Sequence, residues 1–165
     1  MDLQIDTKLK KIKLVISDVD GVLTDGGMYY NEEGECMKKF NTRDSMGMEL
    51  LLQKGIKTIL MTRENSKIVK ERVKKIKIVD LYSDIIKKEE MIPEILKKYD
   101  VSSDEIAYIG DDVNDVEIMK KVGFSATPFD GNFVVKENAD YTCEMEGGKG
   151  AFREIADLLI RSNDD

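Results

Sequence analysis

The stretch that decides the fold is Leu14-Val15-Ile16-Ser17-Asp18-Val19-Asp20-Gly21-Val22. Its apolar first part is typical of a buried strand, and two carboxylates follow at the point where that strand ends. Carboxylates at this spacing form a compact negative site. An aspartate attacks phosphorus only if a cation masks the charge repulsion between the two groups. The stretch therefore predicts phosphoryl transfer through an aspartate, with the cation site and the other groups supplied by later parts of the chain.

Composition limits the class of protein. The chain has 165 residues, 41% of them hydrophobic and 36% charged, which fits one soluble globular domain over residues 1–165. A net charge of -7 argues against nucleic acid as a partner, because binding to a phosphate backbone requires a basic face. No apolar run approaches the length of a membrane span, and no signal segment is recognisable. We therefore expect a cytoplasmic protein with no membrane partner.

The chain contains no histidine and two cysteines, Cys36 and Cys143. A Ser-His or Cys-His catalytic pair is therefore excluded, and a zinc site is disfavoured. The abundant carboxylates suit a hard cation such as Mg²⁺. A disulfide between the two cysteines stays open, although two reduced thiols are the simpler expectation.

Short apolar runs alternate with amphipathic segments along the chain. Strands are predicted at 14–16, 58–61, 78–82, 106–109, 124–126 and 141–143, and helices at 45–54, 66–75, 89–99, 113–122 and 151–160. This alternation indicates an α/β fold, a Rossmann-like three-layer sandwich with helices on both faces of a mostly parallel sheet. Ligands of such sheets bind beyond the carboxyl ends of the strands, where Asp18, Thr62 and Asp111 are expected.

One segment interrupts this alternation. Residues 28–30 and 35–40 flank Asn31-Glu32-Glu33-Gly34, which has the composition of a turn. They predict a β-hairpin that projects from the first strand–helix connection. Since an isolated hairpin is marginally stable in water, we expect its aromatic and methionine side chains to pack against another surface, such as a second subunit.

Hydrolysis of a phosphate monoester requires a nucleophile, an acid/base, a divalent cation and donors to the phosphoryl oxygens. An acid/base protonates the leaving alcohol and then deprotonates the attacking water. The candidates are Asp18 as nucleophile, Asp20 as acid/base, Thr62 and Lys87 or Lys88 as donors, and Asp111 as Mg²⁺ ligand with Asp112 and Asp115 in support.

Each candidate also has an ordinary structural explanation. A D-x-D pair is common in solvated loops, Thr62 can cap the following helix, and either lysine can lie on the surface. Gly110-Asp111-Asp112 can form a turn followed by a helix cap. It is the joint order of these residues, each after a strand-like run, that favours catalysis.

In this order the motifs resemble those of the haloacid dehalogenase superfamily of aspartate-nucleophile phosphatases. Longer stretches resemble one group within it, the 3-deoxy-ulosonate phosphate phosphatases, which act on 3-deoxy-D-manno-octulosonate (KDO) 8-phosphate or on related nine-carbon 9-phosphates. These stretches are Asp18-Val-Asp-Gly-Val-Leu-Thr-Asp-Gly, Lys39-Phe-Asn-Thr-Arg-Asp-Ser, Ala107-Tyr-Ile-Gly-Asp-Asp and Gly147-Gly-Lys-Gly-Ala-Phe-Arg-Glu.

The resemblance implies a Mg²⁺-dependent phosphatase that acts on a small-molecule sugar phosphate through an aspartyl-phosphate. It implies that the metal is held by Asp18, the backbone carbonyl of Asp20, and Asp111, and it selects Lys88 over Lys87. Members with this hairpin and no separate cap domain form homotetramers in which a neighbouring subunit closes the pocket. The resemblance also implies substrate contacts from Thr42, Arg43, Asp44, Ser45 and Arg72.

Some positions bear on which sugar is bound. Arg63 replaces the glycine that is usual in this group, and Lys149 replaces an arginine, which gives up bidentate carboxylate binding. At Glu64 the KDO branch tends to carry a cation, whereas the nine-carbon branch carries Glu together with a lysine that Lys75 could match. A carboxylate at this position suits hydroxyls or an amide, so Glu64 is a predicted substrate contact and a nine-carbon substrate is favoured.

The 147–150 stretch is either a mobile segment that approaches an active site or a simple loop.

Two other classes of protein stay open. A phosphoacceptor receiver domain also combines acidic residues with Thr and Lys, but its phosphorylated aspartate stands alone in mid-chain. An acid/base such as Asp20 would also shorten the life of its phosphoaspartate. The other class is an inactive partner subunit of a sugar-activating enzyme, which the complete set of candidate residues makes a weaker explanation.

Overall fold

The computed structural model describes residues 3–164, so Met1, Asp2 and Asp165 of the expected domain lie outside the described residues. The strands are β1 (Leu14–Ser17), β2 (Tyr29–Asn31), β3 (Gly34–Met37), β4 (Lys57–Met61), β5 (Asp80–Tyr82), β6 (Ile106–Ile109), β7 (Phe124–Thr127) and β8 (Tyr141–Thr142). The α-helices are α1 (Leu3–Leu9), α2 (Thr42–Gln53), α3 (Lys67–Val73), α4 (Ile92–Tyr99), α5 (Val116–Met119), α6 (Phe133–Asn138) and α7 (Ala151–Asp164). Short 3-10 helices span Lys88–Met91, Ser103–Glu105 and Val113–Asp115.

The main sheet has six parallel strands in the order β5-β4-β1-β6-β7-β8. Strand β1 is central: Leu14 pairs with Lys57 of β4 on one side and with Ile106 of β6 on the other. The strands that follow β1 therefore lie on both sides of it, which opens a crevice at its carboxyl end. This arrangement confirms the predicted α/β class and its mostly parallel sheet.

Both faces of the sheet are buried, which explains why its strands are continuous apolar runs. Val15, Ala107 and Phe124 belong to the core on one face, which α1, α2, α3 and α7 cover. Ile16 and Tyr108 point to the other face, where α4, α5 and α6 complete a second core. The three layers of the predicted sandwich are thus present.

Helix bounds differ from the predictions at several places. Helix α2 begins at Thr42, because the Asn41 side chain caps it by accepting a hydrogen bond from the Arg43 N–H at 2.9 Å. The helix predicted at 113–122 is a 3-10 turn followed by the four-residue α5. Helices α1 and α6 were not predicted; in α6 the exposed Phe133 obscures the amphipathic pattern.

The predicted hairpin is present as the two-stranded antiparallel pair β2–β3, separate from the main sheet. The Asn31 side chain accepts a hydrogen bond from the Glu33 N–H at 2.9 Å and so stabilises the turn. The side chains of Met28, Tyr30 and Met37 are 54%, 62% and 53% exposed. The apolar side chains of the hairpin therefore stay largely uncovered within residues 3–164, and no separate cap domain occurs in this range.

Cys36 on β3 is exposed and Cys143 is buried, and both are free thiols. The disulfide that the sequence leaves open is therefore not formed. Across residues 3–164, no helix combines the length and the apolar character that crossing a membrane requires.

Two adjacent leucines of α2 offer a test of the packing between α2 and α7. Leu51 is fully buried, whereas Leu52 is 43% exposed. We expect Leu51→Ala to lower the free energy of unfolding by about 2–5 kcal/mol, because it leaves a cavity in the core. Leu52→Ala, the matched control, should change it by about 0.5 kcal/mol or less. Urea unfolding measures both values, and equal losses would contradict the packing described here.

Candidate active site

A cavity of about 270 Å³ opens at the carboxyl ends of β1, β4 and β6. It lies where the loops after neighbouring strands diverge, as expected for this sheet topology. The structure thus brings together residues that are far apart in the sequence. The lining consists of Asp18, Asp20, Gly21, Gly26, Thr62, Arg63, Glu64, Asp111, Asp112 and Asn114.

Asp18, the candidate nucleophile, is only 6% exposed. Its Oδ1 accepts a hydrogen bond from the Val19 N–H at 2.6 Å, and its Oδ2 lies 2.7 Å from Lys88 Nζ. Burial raises the pKa of Asp18 to about 7; Lys88 opposes this rise and Asp115 adds to it. Burial thus disfavours the ionised form of this carboxyl, and a nearby cation favours it.

Lys88 is the lysine of the predicted pair that reaches the site. It is fully buried, and its Nζ lies 2.7 Å from both Asp18 Oδ2 and Asp115 Oδ1 and 3.1 Å from the Tyr108 hydroxyl. Burial disfavours its charge, but the attraction of Asp18 and Asp115 outweighs burial and raises the pKa of Lys88. Lys87 instead makes an exposed ion pair on the surface. The placement therefore agrees with Lys88 as the matching residue.

Asp115 fixes the loop that carries Asp111. Its Oδ1 accepts hydrogen bonds from Lys88 Nζ and, at 2.6 Å, from the Tyr108 hydroxyl. Its Oδ2 accepts from the N–H groups of Asp111 at 2.9 Å and Asp112 at 3.3 Å. Because donors of the protein already occupy both of its oxygens, Asp115 mainly holds the loop and Lys88 in place. Sequence reasoning missed Tyr108, although a tyrosine in a buried strand needs a partner for its hydroxyl.

The carboxylates fit a hard divalent cation. Oxygen atoms of Asp18, Asp111 and Asp115 lie within 4.8 Å of one another. Burial raises the pKa of Asp111 to about 8, and the charges of Asp18 and Asp115 contribute to the rise. When all three carboxylates are ionised, their charge exceeds that of Lys88, and a divalent ion neutralises the excess. The oxygen donors suit Mg²⁺.

Gly21 lets the two acidic loops approach each other. Its φ of +82° lies in the left-handed region, and a Cβ at this position would stand 1.9 Å from Asp111 Oδ2. A side chain at position 21 would therefore strain the backbone and displace Asp111 at the same time.

Thr62 follows β4 and is 1% exposed. Its Oγ1 accepts a hydrogen bond from the Glu64 N–H at 3.1 Å, which leaves the hydroxyl proton available to a ligand. The alternative that Thr62 caps the next helix is wrong, because Ser66 holds the N-cap position of α3.

Asp20, the candidate acid/base, has two oxygens in different environments. Its Oδ1 accepts hydrogen bonds from Lys38 Nζ at 2.6 Å and from the Thr24 hydroxyl at 3.4 Å. Its Oδ2 is buried and has no hydrogen-bond partner among residues 3–164. Sequence reasoning missed Lys38, because a lysine in a hairpin rich in charged residues carries no signal of burial.

Five predicted substrate contacts do not line this cavity, namely Thr42, Arg43, Asp44, Ser45 and Arg72. Asp44 is buried and accepts a hydrogen bond from the Arg153 N–H at 2.9 Å, and burial raises its pKa to about 6. Ser45 is hydrogen-bonded to Arg72, whose guanidinium lies 5.7 Å from the centre of the Phe40 ring. Within one chain, Asp44 and Ser45 in the first turn of α2 thus contact α7 and α3. A substrate contact from these residues stays a prediction.

The 147–150 loop packs against the first acidic loop. The Gly148 N–H donates to the Val22 carbonyl at 2.9 Å, and a Cβ at Gly147 would stand 1.9 Å from the Gly21 carbonyl oxygen. This packing supports the simpler interpretation, a fixed loop before α7. Lys149 lies apart from the acidic cavity, in a cavity of about 540 Å³ that Arg43 also lines.

Comparison with known proteins places this geometry in a family. The sequence profile of the haloacid dehalogenase-like hydrolases matches residues 53–155. The chain belongs to this family. The matched residues include strands β4 to β8 and Asp111 of the acidic cavity.

Individual relatives of this haloacid dehalogenase-like hydrolase carry more specific names. The 3-deoxy-D-manno-octulosonate 8-phosphate phosphatase KdsC of Salmonella typhi is 38% identical over 154 residues, which are 93% of this chain and 82% of the relative. The corresponding phosphatase of Yersinia pestis has a crystal structure with a TM-score of 0.96 and 32% identity, covering 99% of this chain and 89% of that one.

A third relative includes ligands. The crystal structure of the Moraxella catarrhalis 3-deoxy-D-manno-octulosonate 8-phosphate phosphatase contains a magnesium ion, a phosphate ion and a KDO molecule. It has a TM-score of 0.94 and 33% identity, and the match covers 98% of this chain and 92% of that one. Magnesium in this relative agrees with the acidic cluster of Asp18, Asp111 and Asp115, and Mg²⁺ is the cation that the site fits.

The raised pKa values of Asp18 and Asp111 predict how Mg²⁺ affects stability. Without the ion, burial raises the pKa of Asp18 to about 7 and that of Asp111 to about 8, above the ordinary aspartate value of 3.8. The folded state thus binds more protons than the unfolded chain in this window, and ion-free stability falls as pH rises. Since Mg²⁺ replaces these protons, it should raise the melting temperature more at pH 8 than at pH 6.

Thermal melts at both pH values, with and without Mg²⁺, measure this difference. Asp111→Asn should abolish the Mg²⁺-dependent rise, whereas Asp84→Asn, at an exposed carboxyl outside the cavity, should keep it. A rise of equal size at both pH values would contradict the assignment of these carboxyls as the cation site.

Proposed function

We propose that this haloacid dehalogenase-like hydrolase is a Mg²⁺-dependent phosphatase of a 3-deoxy-ulosonate phosphate. The observation that carries the proposal is the buried contact of Asp18 with Lys88 beside Asp111, in a cavity at the end of the central strand. The names of the relatives from Salmonella typhi and Moraxella catarrhalis support the same class of substrate.

Each side chain of the site has its own role in the proposed reaction. Lys88 and the Thr62 hydroxyl bind phosphoryl oxygens and orient the phosphorus toward Asp18. The Asp18 carboxylate attacks phosphorus while Asp20 gives a proton to the departing sugar oxygen. Asp20 then takes a proton from the water that cleaves the aspartyl-phosphate. Asp18, the Asp20 backbone carbonyl and Asp111 would hold Mg²⁺, which would supply the positive charge that lets an anionic nucleophile approach an anionic ester.

Among such substrates we favour a nine-carbon ulosonate 9-phosphate over KDO 8-phosphate. Glu64 lines the cavity together with Arg63. A carboxylate there accepts hydrogen bonds from the hydroxyl or amide groups of a longer sugar and repels a second acid group. The eight-carbon sugar is the second candidate, because the relatives named above act on KDO 8-phosphate.

We also propose a homotetramer in which a neighbouring subunit closes the cavity. The support is the exposed apolar surface of the hairpin, formed by Met28, Tyr30 and Met37, on a unit that is marginally stable by itself. A neighbouring subunit could also bring Arg43 or Arg72 to the substrate, which one chain does not do.

The receiver-domain alternative does not fit a chain that belongs to a family of hydrolases. The inactive-subunit alternative makes a different prediction, namely that hydrolysis is absent whatever the substrate.

Turnover of both sugar phosphates with Mg²⁺ tests the proposal. We expect the nine-carbon 9-phosphate to be hydrolysed with the higher kcat/KM, and Asp18→Asn to lower turnover at least about a thousandfold by removing the nucleophile. Released phosphate is the measurement. Equal or faster turnover of KDO 8-phosphate would overturn the choice of sugar, and turnover that survives Asp18→Asn would overturn the mechanism.

Sedimentation velocity tests the assembly. The double variant Tyr30→Ser, Met37→Ser should sediment as a smaller species than the wild type, because polar side chains weaken an apolar interface. Leu52→Ser, at an exposed position of α2, is the control and should sediment like the wild type. A wild-type protein that sediments as a monomer would refute the tetramer.

A further inference from the structure

Lys38 is a buried cation outside the cluster around Asp18. It follows β3 at the base of the hairpin, and its side chain is only 1% exposed. Its Nζ lies 2.6 Å from Asp20 Oδ1 and 2.7 Å from Glu35 Oε1. Glu35 Oε2 in turn accepts a hydrogen bond from the Ser66 hydroxyl at 2.6 Å. One lysine thus connects the first acidic loop, the hairpin and the beginning of α3.

The two oxygens of Asp20 are unequal as a result. Lys38 and Thr24 engage Oδ1, whereas Oδ2 is buried and has no hydrogen-bond partner among the described residues. A carboxyl group that transfers a proton must present one defined oxygen to the reacting group. In this site the unengaged oxygen is Oδ2.

We propose that Lys38 is a positioning residue that orients the Asp20 carboxyl for proton transfer. This inference rests on the proposed phosphatase function. With Oδ1 held by Lys38, Oδ2 is the oxygen that transfers the proton. As Asp18 forms its bond to phosphorus and the ester P–O bond breaks, that proton passes from Oδ2 to the sugar oxygen. In the second step water attacks phosphorus, the Asp18–phosphorus bond breaks, and Oδ2 receives a proton from the water.

Glu35 makes this arrangement possible. A buried lysine needs an anionic partner, because an unpaired charge in a buried environment is costly. Glu35 Oε1 also pairs with Lys38 Nζ, so the position of Lys38 does not depend on Asp20 alone. Its bond to Ser66 fixes Glu35 in turn.

The nature of the leaving group distinguishes positioning from a merely structural role. A sugar alkoxide leaves only with a proton, whereas p-nitrophenolate is stable enough to leave without one. Lys38→Met keeps the length of the side chain and removes its charge. We expect it to lower kcat on the preferred sugar phosphate by about 30-fold or more, as part of the gain that acid catalysis supplies. With p-nitrophenyl phosphate the loss should be about threefold or less.

Lys39→Met is the matched control, since Lys39 is the adjacent lysine but is 59% exposed. It should leave the ratio of the two activities unchanged. If Lys38→Met does not fold, as judged by circular dichroism, Glu35→Ala replaces it, at a partly exposed residue that pairs with Lys38. It should lower the same ratio at least about threefold.

The outcomes separate the two proposals. An equal loss on both esters, or an unchanged ratio in Lys38→Met or in its replacement, overturns the positioning role while the phosphatase function stands. If the wild type hydrolyses neither ester, the phosphatase function fails and the role of Lys38 fails with it.

Discussion

The structure depends on a buried excess of negative charge at the end of one strand. Asp18, Asp111 and Asp115 lie together in an environment from which water is largely removed, with Lys88 as their cationic partner. Removing ionised groups from water is unfavourable unless opposite charges and hydrogen bonds replace the lost solvent. Lys88, the Tyr108 hydroxyl and backbone N–H groups compensate part of this negative charge. A divalent cation compensates the rest. The uncompensated negative charge therefore favours binding of the cation.

The sheet was predictable from the sequence because burial on both faces makes its strands continuous apolar runs. For the same reason the loops after β1, β4 and β6 were predicted to meet, and Asp18, Thr62 and Asp111 do lie at one cavity. The apolar runs and their order along the chain are therefore enough to predict the sheet and the edge at which the site lies, since parallel strands place all their carboxyl ends at one edge.

What the sequence did not predict depends on side-chain direction. Tyr108 in a run of aliphatic residues and Lys38 in a lysine-rich segment have no distinctive spacing, and only the folded chain shows that each donates to a site carboxylate. The substrate contacts expected from Asp44 and Arg72 illustrate the opposite case. The resemblance placed them at a pocket, whereas in one chain Asp44 holds the backbone of α7 and Arg72 lies against Phe40.

The central position of β1 in the sheet also constrains when the site can form during synthesis of the chain. The first strand of the sheet pairs on one side with β4 and on the other with β6, and both Lys88 and Asp111 lie beyond the midpoint of the chain. A ribosome therefore releases Asp18, the candidate nucleophile, before Lys88 and Asp111 have been synthesised. Such long-range pairing slows folding, since distant segments must meet before the contacts form. A chain that ends before Asp111 lacks both Asp111 and Asp115, so the acidic cluster forms only after that segment has been synthesised.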